Sequence, residues 1–317
     1  MNRAQIAASI EYETTTPPAG LPGDMQPLPG ATLRFLSIKA IDGFTVTAAL
    51  WQPEGRPPAE TTILVQVHGG GGNFAGSPQP EIARALSSKG YAALSINNRQ
   101  HDERVNMANF FELRRDIEAA VATAKSLGYK SIVLQGHSIG ALQVVFYAAT
   151  DWDQAVKGVI LIAPFADLPW KSRHVLIQNE DEYEALARAS RDALRQGHNS
   201  DPLPLGMRYT LGRVTAVTAQ HFLTYRDDKT SVANNTFWIS RIPQPILLLR
   251  GDADAVVLPF EPHALLSAGH AEGSLVQEIT YVRVPDRRSP CMEGHTFAGN
   301  TQPLIDALLS WLAERHL

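Results

Sequence analysis

Short apolar strand patterns alternate with helical patterns along most of this chain, and no other sequence feature limits the fold as much. Strands are predicted at residues 63–67, 92–96, 132–134, 158–162, 246–249 and 279–284. Helices are predicted between and after them, at residues 81–89, 110–127, 139–149, 259–268 and 304–315. Consecutive apolar strands separated by helices are typical of a parallel sheet with helices on both faces. The predicted fold class is therefore α/β.

The beginning of the chain follows a different pattern. Residues 1–32 contain turn formers with little periodicity, and we predict an irregular lead-in there. Two β-rich runs follow at residues 33–38 and 44–51, separated by Asp42 and Gly43. Asp-Gly between alternating apolar runs indicates a tight hairpin. An antiparallel hairpin is thus expected ahead of the strand–helix alternation.

One long segment interrupts the alternation. Residues 166–240 contain a charged helical pattern at 180–195 but no strand–helix repeat. At 317 residues, the chain is long enough for two ordinary domains or for one large domain with an insertion. We predict one α/β core, formed by residues 33–165 and 241–317, with a helical insertion at 166–240.

Composition and charge exclude several classes of protein. With 44% apolar and 19% charged residues, the chain is neither disordered nor fibrous. The net charge of −4 does not favour binding to nucleic acid or an anionic membrane. Cys291 is the single cysteine, so no internal disulfide forms and a reducing compartment fits best. No segment has the length and apolarity of a signal peptide or membrane span, so a cytoplasmic protein is expected.

Residues 136–140 read Gly-His-Ser-Ile-Gly and lie between a predicted strand and a predicted helix. A Gly-x-Ser-x-Gly pattern in this context forms a sharp turn that holds the serine in a strained conformation. The serine oxygen then projects at the C-terminal edge of the sheet. Ser138 is therefore the candidate nucleophile. The backbone amide of Ile139, at the helix N-terminus, is a candidate donor to an oxyanion.

A glycine-rich loop follows the first strand of the alternation, where His68 precedes four glycines. Glycines allow a close approach of the backbone to a ligand. Neither a phosphate loop nor a dinucleotide fingerprint is present, and His and Cys are not clustered at metal-ligand spacings. No metal or organic cofactor is therefore expected. We expect the loop to supply a second oxyanion donor, the amide of Gly70, with a plain flexible loop as the alternative.

A serine nucleophile requires a base, and the base requires an acid that orients it. Among ten histidines, His295 stands out because it lies between the last predicted strand and the last predicted helix. Two acids, Asp252 and Asp254, follow a late strand. Asp254 is preferred because it lies within the loop itself, and Asp252 remains the alternative.

The chain resembles the α/β-hydrolase superfamily over about residues 33–165 and 241–317. The resemblance is carried by His-Gly-Gly at 68–70, Gly-His-Ser-Ile-Gly at 136–140, Gly-Asp-Ala-Asp at 251–254 and Gly-His at 294–295. It implies a mostly parallel central sheet flanked by helices. It also implies that residues 166–240 form the cap or lid that many members insert at this position.

The same resemblance implies a catalytic triad of Ser138, Asp254 and His295, in the chain order of this superfamily. The amides of Gly70 and Ile139 would form the oxyanion hole. The expected activity is hydrolysis of a carboxylic ester through an acyl-enzyme. Thioester, amide or carbon–carbon bond cleavage, or acyl transfer, would use the same triad. A non-catalytic ligand-binding protein on this fold is the alternative from another class.

The expected partner is a small-molecule acyl substrate, and a homo-oligomer stays open. Aromatic side chains in the insertion favour an apolar or aromatic substrate, although the insertion also needs aromatics for its own core. They are Trp170, Tyr209, Phe222, Tyr225 and Trp238. No chemical role is assigned to Cys291 or His174.

The sequence departs from the superfamily at residues 97–102, which read Asn-Asn-Arg-Gln-His-Asp. Many members carry Asp-x-Arg-Gly-His-Gly at this place. Arg99 and His101 are retained and are expected to hold loops together. A substrate contact by His101 or Asp102 stays open.

Overall fold

A nine-stranded sheet lies at the centre of the part of the chain that the computed structural model describes, residues 11–16 and 21–317. Its strands lie in the order β1-β2-β3-β5-β4-β6-β7-β10-β11. In chain order they are β1 (Tyr12–Thr15), β2 (Ala31–Lys39), β3 (Thr45–Pro53), β4 (Thr62–Val67), β5 (Ala92–Asn97), β6 (Ser131–His137), β7 (Val156–Ile162), β10 (Ile246–Gly251) and β11 (Ile279–Val284). Pairing is antiparallel from β1 to β5 and parallel from β5 to β11. The predicted mostly parallel α/β sheet is confirmed.

Helices cover the sheet, and others lie in the segment between β7 and β10. In chain order they are α1 (Gln79–Ser87), α2 (Phe110–Ser126), α3 (Ile139–Asp151), α4 (Leu168–Lys171), α5 (Glu180–Arg195), α6 (Ala219–His221), α7 (Asn235–Trp238), α8 (Glu261–Gly269), α9 (Met292–Thr296) and α10 (Gln302–Glu314). Wider π-helical turns, Ser172–Ile177 and Phe222–Arg226, continue α4 and α6. None of the helices in the described ranges has the length and apolarity to cross a membrane.

The central strands are buried on both faces, which explains their consecutive apolar residues. Every residue of β4, β5 and β10 is buried. Val65 belongs to the apolar cluster that includes Ile117 of α2. The next residue toward the N-terminus, Leu64, points to the opposite face and joins the cluster that includes Leu308 of α10. This alternation places a core on each side of the sheet.

The predicted irregular lead-in is wrong in one part, because Tyr12–Thr15 forms the edge strand β1. It pairs antiparallel with β2, and beyond the strand the Lys39 amide donates to the Glu11 carbonyl oxygen at 2.9 Å. The side chains of β1 are mostly exposed and therefore carry no alternating apolar pattern. Backbone hydrogen bonds alone define this strand. Residues 1–10 and 17–20 lie outside the described residues.

The segment between β7 and β10 has an apolar cluster of its own, which includes Tyr183, Met207 and Phe222. It also contains a short antiparallel ribbon, β8 (Met207–Arg208) and β9 (Val214–Thr215). Phe222 and Tyr225 are buried, whereas Trp170 is 43% exposed and lies outside the core. The division of the chain at residues 166 and 240 stays a prediction.

Arg99, at the end of β5, ties the β2–β3 hairpin to α2. Its guanidinium contacts the Asp116 carboxylate at 2.6 Å and the Asp42 carboxylate at 2.9 Å. The Arg99 amide also donates to Asp116 at 2.9 Å. Asp116 is fully buried, whereas Asp42 remains partly open to solvent. Arg99 therefore holds loops together at the edge of the sheet where β5 ends.

We expect Asp116→Ala to lower the free energy of unfolding by about 3 kcal/mol, because it leaves a buried guanidinium short of its main partner. Asp42→Ala is the matched control, since it removes a partner of the same arginine from a more solvated site. We expect that variant to lose about 1 kcal/mol or less. Urea denaturation followed by circular dichroism measures both losses. Equal losses in the two variants would contradict the assignment of Asp116 as the main anchor.

Two central strands end at buried histidines, His68 after β4 and His137 in β6. Burial lowers the pKa of His68 to about 4 and that of His137 to about 3. Both side chains are therefore neutral in the folded protein at neutral pH. In the unfolded chain a histidine takes up its proton near pH 6.5.

Below that pH, His68 and His137 bind protons in the unfolded chain but not in the folded chain. The free energy of unfolding therefore falls as the pH falls. Between pH 7 and pH 5, we expect a loss of about 2 kcal/mol for each of His68 and His137. Guanidinium denaturation at the two pH values measures the loss. The loss becomes smaller in His137→Asn, because this variant lacks one of the two buried imidazoles. Stability that does not change between pH 7 and pH 5 would refute this expectation.

Candidate active site

Ser138 occupies the sharp turn between β6 and α3, with φ 55° and ψ −120°. This strained backbone is held by close contacts that exclude side chains at both flanking glycines. A Cβ atom added to Gly136 would lie 2.5 Å from the Gly140 carbonyl oxygen. One added to Gly140 would lie 2.4 Å from the Val67 carbonyl oxygen. The Ser138 amide donates to the Ile162 carbonyl oxygen at 2.9 Å, which anchors the turn to β7.

His295 lies on the short helix α9, between β11 and α10. Its Nε2 atom lies 2.9 Å from the Oγ atom of Ser138, and the side chain is buried. The preceding residue must be small, because a Cβ atom on Gly294 would lie 2.0 Å from the Ala253 carbonyl oxygen. Gly294 thus allows α9 to pack directly on the loop after β10.

Asp254 lies in that loop, and both of its carboxylate oxygens are 3.1 Å from Nδ1 of His295. The amides of Val256 and Val257 also donate to Oδ1, at 2.7 and 2.9 Å. Burial would raise the pKa of Asp254, but His295 and the two amides outweigh it and hold the pKa below its usual value. The carboxylate is therefore ionised. Asp252 instead contacts Arg283 at 2.9 Å.

These contacts define the tautomer of His295. An ionised carboxylate only accepts hydrogen bonds, so the proton between His295 and Asp254 lies on Nδ1. Nε2 then presents its lone pair to the Ser138 hydroxyl. In chemical terms, a serine hydroxyl lies beside an imidazole that a carboxylate orients, and such an arrangement can support attack by the serine oxygen.

The loop that carries Asp254 is buried, and polar side chains behind it satisfy its backbone. Arg250 donates to three loop carbonyl groups, the closest being that of Val257 at 2.9 Å. Glu261 accepts from the Leu258 amide at 2.7 Å and pairs with Lys171, the last residue of α4. Lys171 and Glu261 are both buried. The segment between β7 and β10 is therefore connected to the acid loop through an ion pair.

Cys291 has a structural role that the sequence did not indicate. Its amide donates to the Ala253 carbonyl oxygen at 2.9 Å, and its carbonyl accepts from the Ala255 amide at 3.3 Å. Its sulfur accepts from the Gly294 amide at 3.3 Å, which caps α9. Cys291 thus joins the loop of the acid to the helix of the histidine. Its spacing before His295 was the available signal.

The two residues that carry the candidate oxyanion donors, Gly70 and Ile139, lie next to each other. Ile139 is the first residue of α3, where the N–H group has no acceptor within the helix. A Cβ atom on Gly70 would lie 3.0 Å from Cδ1 of Ile139, so the glycine loop packs against the start of α3. His68 orders this loop through the Gly69 carbonyl oxygen, 2.7 Å from its Nδ1 atom.

A cavity of about 530 Å³ opens above Ser138 and His295. One wall is the glycine loop at residues 68–73, and another is Met292 with its neighbours on α9. The third wall is the tip of the β8–β9 ribbon, residues 209–213. The outer side of this tip borders a second cavity of about 580 Å³. The ribbon tip therefore separates the two cavities.

Other residues from the sequence analysis lie elsewhere. His101 and Asp102 contact each other at 2.8 Å and do not line the catalytic cavity. His174 packs against the ring of Trp170, with 5.4 Å between ring centroids. Within residues 11–16 and 21–317, no group of three or more His, Cys, Asp or Glu side chains is placed to hold a metal ion.

Sequence reasoning named Tyr209 only as one aromatic residue of the insertion, and it missed Leu211 and Arg213 of the ribbon tip. The insertion contains no motif that would select them. The only available signal was the presence of aromatic residues in a segment without strand–helix alternation.

Comparison with known proteins gives matches to one family. A family model described as the alpha/beta hydrolase fold matches residues 62–266. A search of curated protein sequences finds no match. Est1E from Butyrivibrio proteoclasticus, solved with bound ferulic acid, shares 19% identity and a TM-score of 0.66 over 87% of this chain and 98% of its own.

Two further solved structures are similar. The esterase domain of a Rhodothermus marinus protein has 19% identity and a TM-score of 0.56, covering 90% of this chain and 98% of its own. An esterase from Pyrococcus furiosus has 14% identity and a TM-score of 0.58, covering 95% and 96%. At these identities the likeness shows the fold alone. Since the family model spans more than half of the 317 residues, this chain belongs to the alpha/beta hydrolase fold family.

Proposed function

We propose that the protein is a serine hydrolase that cleaves carboxylic esters of small molecules. One observation carries the proposal: Nε2 of His295 lies 2.9 Å from Ser138 Oγ, while Nδ1 lies 3.1 Å from Asp254. Membership of the alpha/beta hydrolase fold family supports it. The names of the similar solved structures, which include esterases, agree with it.

In the first step, His295 accepts the proton of Ser138 as the serine oxygen attacks the ester carbonyl carbon. The carbonyl oxygen gains the electron pair and becomes an oxyanion, which the amides of Ile139 and Gly70 stabilise. Asp254 remains ionised and stabilises the positive charge that His295 acquires. The burial of all three side chains strengthens these charge interactions, because little water is present to screen them.

In the next steps, the bond between the carbonyl carbon and the alcohol oxygen breaks. His295 gives its proton to the departing alcohol, and Ser138 holds the acyl group as an ester. A water molecule then attacks this ester and loses a proton to His295. The bond between the acyl carbon and Ser138 Oγ then breaks, His295 returns its proton to Oγ, and the carboxylic acid leaves with the Ser138 hydroxyl restored.

The cavity supports a small acyl substrate with apolar or aromatic parts. Its volume of about 530 Å³ lies within the range of small-molecule sites. Leu211 and Met292 offer apolar surface, and the glycine loop leaves the backbone accessible. Est1E binds ferulic acid, an aromatic acid, which agrees with this substrate class. We also propose that residues 166–240 act as the cap that selects the substrate.

Ser138→Ala is expected to lower kcat for p-nitrophenyl acetate by at least about 10³-fold, because no nucleophile remains. A fluorophosphonate probe should label the wild-type protein and not this variant. Steady-state kinetics and intact-mass spectrometry measure the two effects, and circular dichroism checks the fold. Turnover close to that of the wild type in Ser138→Ala would refute the proposal.

The two aspartates after β10 provide a matched pair. Asp254→Asn should lower kcat by about 10²–10⁴-fold, because His295 loses the carboxylate that orients it. Asp252, two residues before Asp254, pairs with Arg283 at a partly exposed position. Asp252→Asn removes that charge and should change kcat by no more than about twofold. Kinetics on p-nitrophenyl acetate compare the variants. A larger loss in Asp252→Asn would assign the acid to that residue instead.

A further inference from the structure

The hydroxyl group of Tyr209 lies against the glycine loop of the candidate active site. A Cβ atom added to Gly70 would lie 2.2 Å from the Tyr209 oxygen, and 3.0 Å from Cδ1 of Ile139. The Tyr209 hydroxyl and the Ile139 side chain therefore both lie close to Gly70, on the side of its Cα atom that a Cβ atom would occupy. Tyr209 also lines the cavity that contains Ser138. A phenolic O–H group thus lies at the glycine loop, next to both of the residues whose amides are the candidate oxyanion donors.

The backbone holds Tyr209 firmly at the ribbon tip. Its amide donates to the Arg213 carbonyl oxygen at 2.6 Å, and its carbonyl accepts from the Gly212 amide at 3.2 Å. Leu211, between them, has a φ of 56°, a conformation that costs a non-glycine residue energy. The tight turn is therefore imposed by its surroundings, and it fixes the position from which the Tyr209 ring extends.

A buried cation lies behind the same ring. Arg226 is 1% exposed, and its guanidinium carbon lies 5.1 Å from the Tyr209 ring centroid. Its hydrogen bonds go to neutral oxygens, Ser172 Oγ at 3.4 Å and Asn106 Oδ1 at 3.3 Å. In the described part of the chain, its Nε atom has no hydrogen-bond partner, and no carboxylate is among the groups that shift its pKa.

Burial lowers the pKa of Arg226, and contact with Tyr209 opposes part of that change. An arginine nevertheless keeps its charge inside proteins. A buried charge without a counter-charge is destabilising, so its field favours negative charge nearby. The Tyr209 hydroxyl and the cavity beside Gly70 lie within reach of that field. A negative charge that develops on a substrate oxygen there would be stabilised.

We infer that Tyr209 is a third oxyanion donor, whose O–H group hydrogen-bonds to the oxygen of the tetrahedral intermediate beside the amides of Gly70 and Ile139. This inference rests on the proposed ester hydrolysis. Tyr209 keeps its proton throughout and forms no covalent bond with the substrate. Arg226 is a positioning residue that orients and polarises the Tyr209 side chain without touching the substrate.

Tyr209→Phe tests the inference, because it removes only the hydroxyl and retains the ring over Arg226. We expect kcat for p-nitrophenyl acetate to fall by about 10- to 100-fold. KM should stay within about twofold, since the oxyanion exists only after the attack. Phenyl acetate, which has a poorer leaving group, should lose the same factor, because the oxyanion forms with either ester.

Tyr183→Phe is the matched control within the same segment. Its buried hydroxyl accepts from the Asp228 amide at 2.8 Å and donates to the Arg226 carbonyl oxygen at 3.2 Å. Tyr183 does not line the catalytic cavity. We expect this variant to have a lower Tm and a kcat within about twofold of the wild type. Thermal unfolding and kinetics on both variants separate loss of packing from loss of catalysis.

Three results would overturn the role of Tyr209 while leaving the proposed hydrolase intact. One is an unchanged kcat in Tyr209→Phe while the wild type is active and is labelled by fluorophosphonate at Ser138. Another is an effect on KM alone, which would make the hydroxyl a ground-state contact. The third is a loss that grows from p-nitrophenyl acetate to phenyl acetate, which would make Tyr209 an acid for the leaving group. A wild type with neither turnover nor labelling would overturn both proposals.

Discussion

The contact between Gly140 and the end of β4 determines the geometry of the whole site. A Cβ atom added to Gly140 would lie 2.4 Å from the Val67 carbonyl oxygen and 2.5 Å from the His68 carbonyl oxygen. This packing of backbone on backbone brings the first turn of α3 onto the neighbouring strand. Ser138, the Ile139 amide and the glycine loop therefore meet at one point. The loops after β10 and β11 reach the same point, because parallel strands end at one edge of the sheet.

Much of this architecture was predictable because local sequence and tertiary position agree. Strands β4 and β10 are buried on both faces, and a run of consecutive apolar residues in the sequence predicts such burial. The turn at Ser138 was predictable because a sharp change from strand to helix requires glycines at fixed positions around it. Asp254 and His295 were selected by their position after late strands, and the structure brings both to Ser138. In each case, the fold requires a particular residue type within a few positions of a strand or helix that the sequence predicts.

The remaining features depend on contacts between distant segments, which leave no local pattern. Strand β1 has exposed side chains, so its pairing with β2 appears only in backbone hydrogen bonds. Tyr209 reaches Gly70 across more than a hundred residues of sequence, and Arg226 contacts the Tyr209 ring from the π-helical turn that continues α6. Cys291 has a capping role because the chain folds back on Ala253. Such roles follow from the assembled fold and not from residue spacing.

The ribbon tip at residues 209–213 has a further consequence for the shape of the two cavities that it borders. The side chains of Ser138, Asp254 and His295 come from the sheet edge and its loops, whereas the tip is a short turn between two cavities. A longer or shorter turn would change the size and shape of both cavities. None of the hydrogen bonds among Ser138, His295 and Asp254 involves the tip. The same turn carries Tyr209, however, so a change in its length would also move the proposed third oxyanion donor.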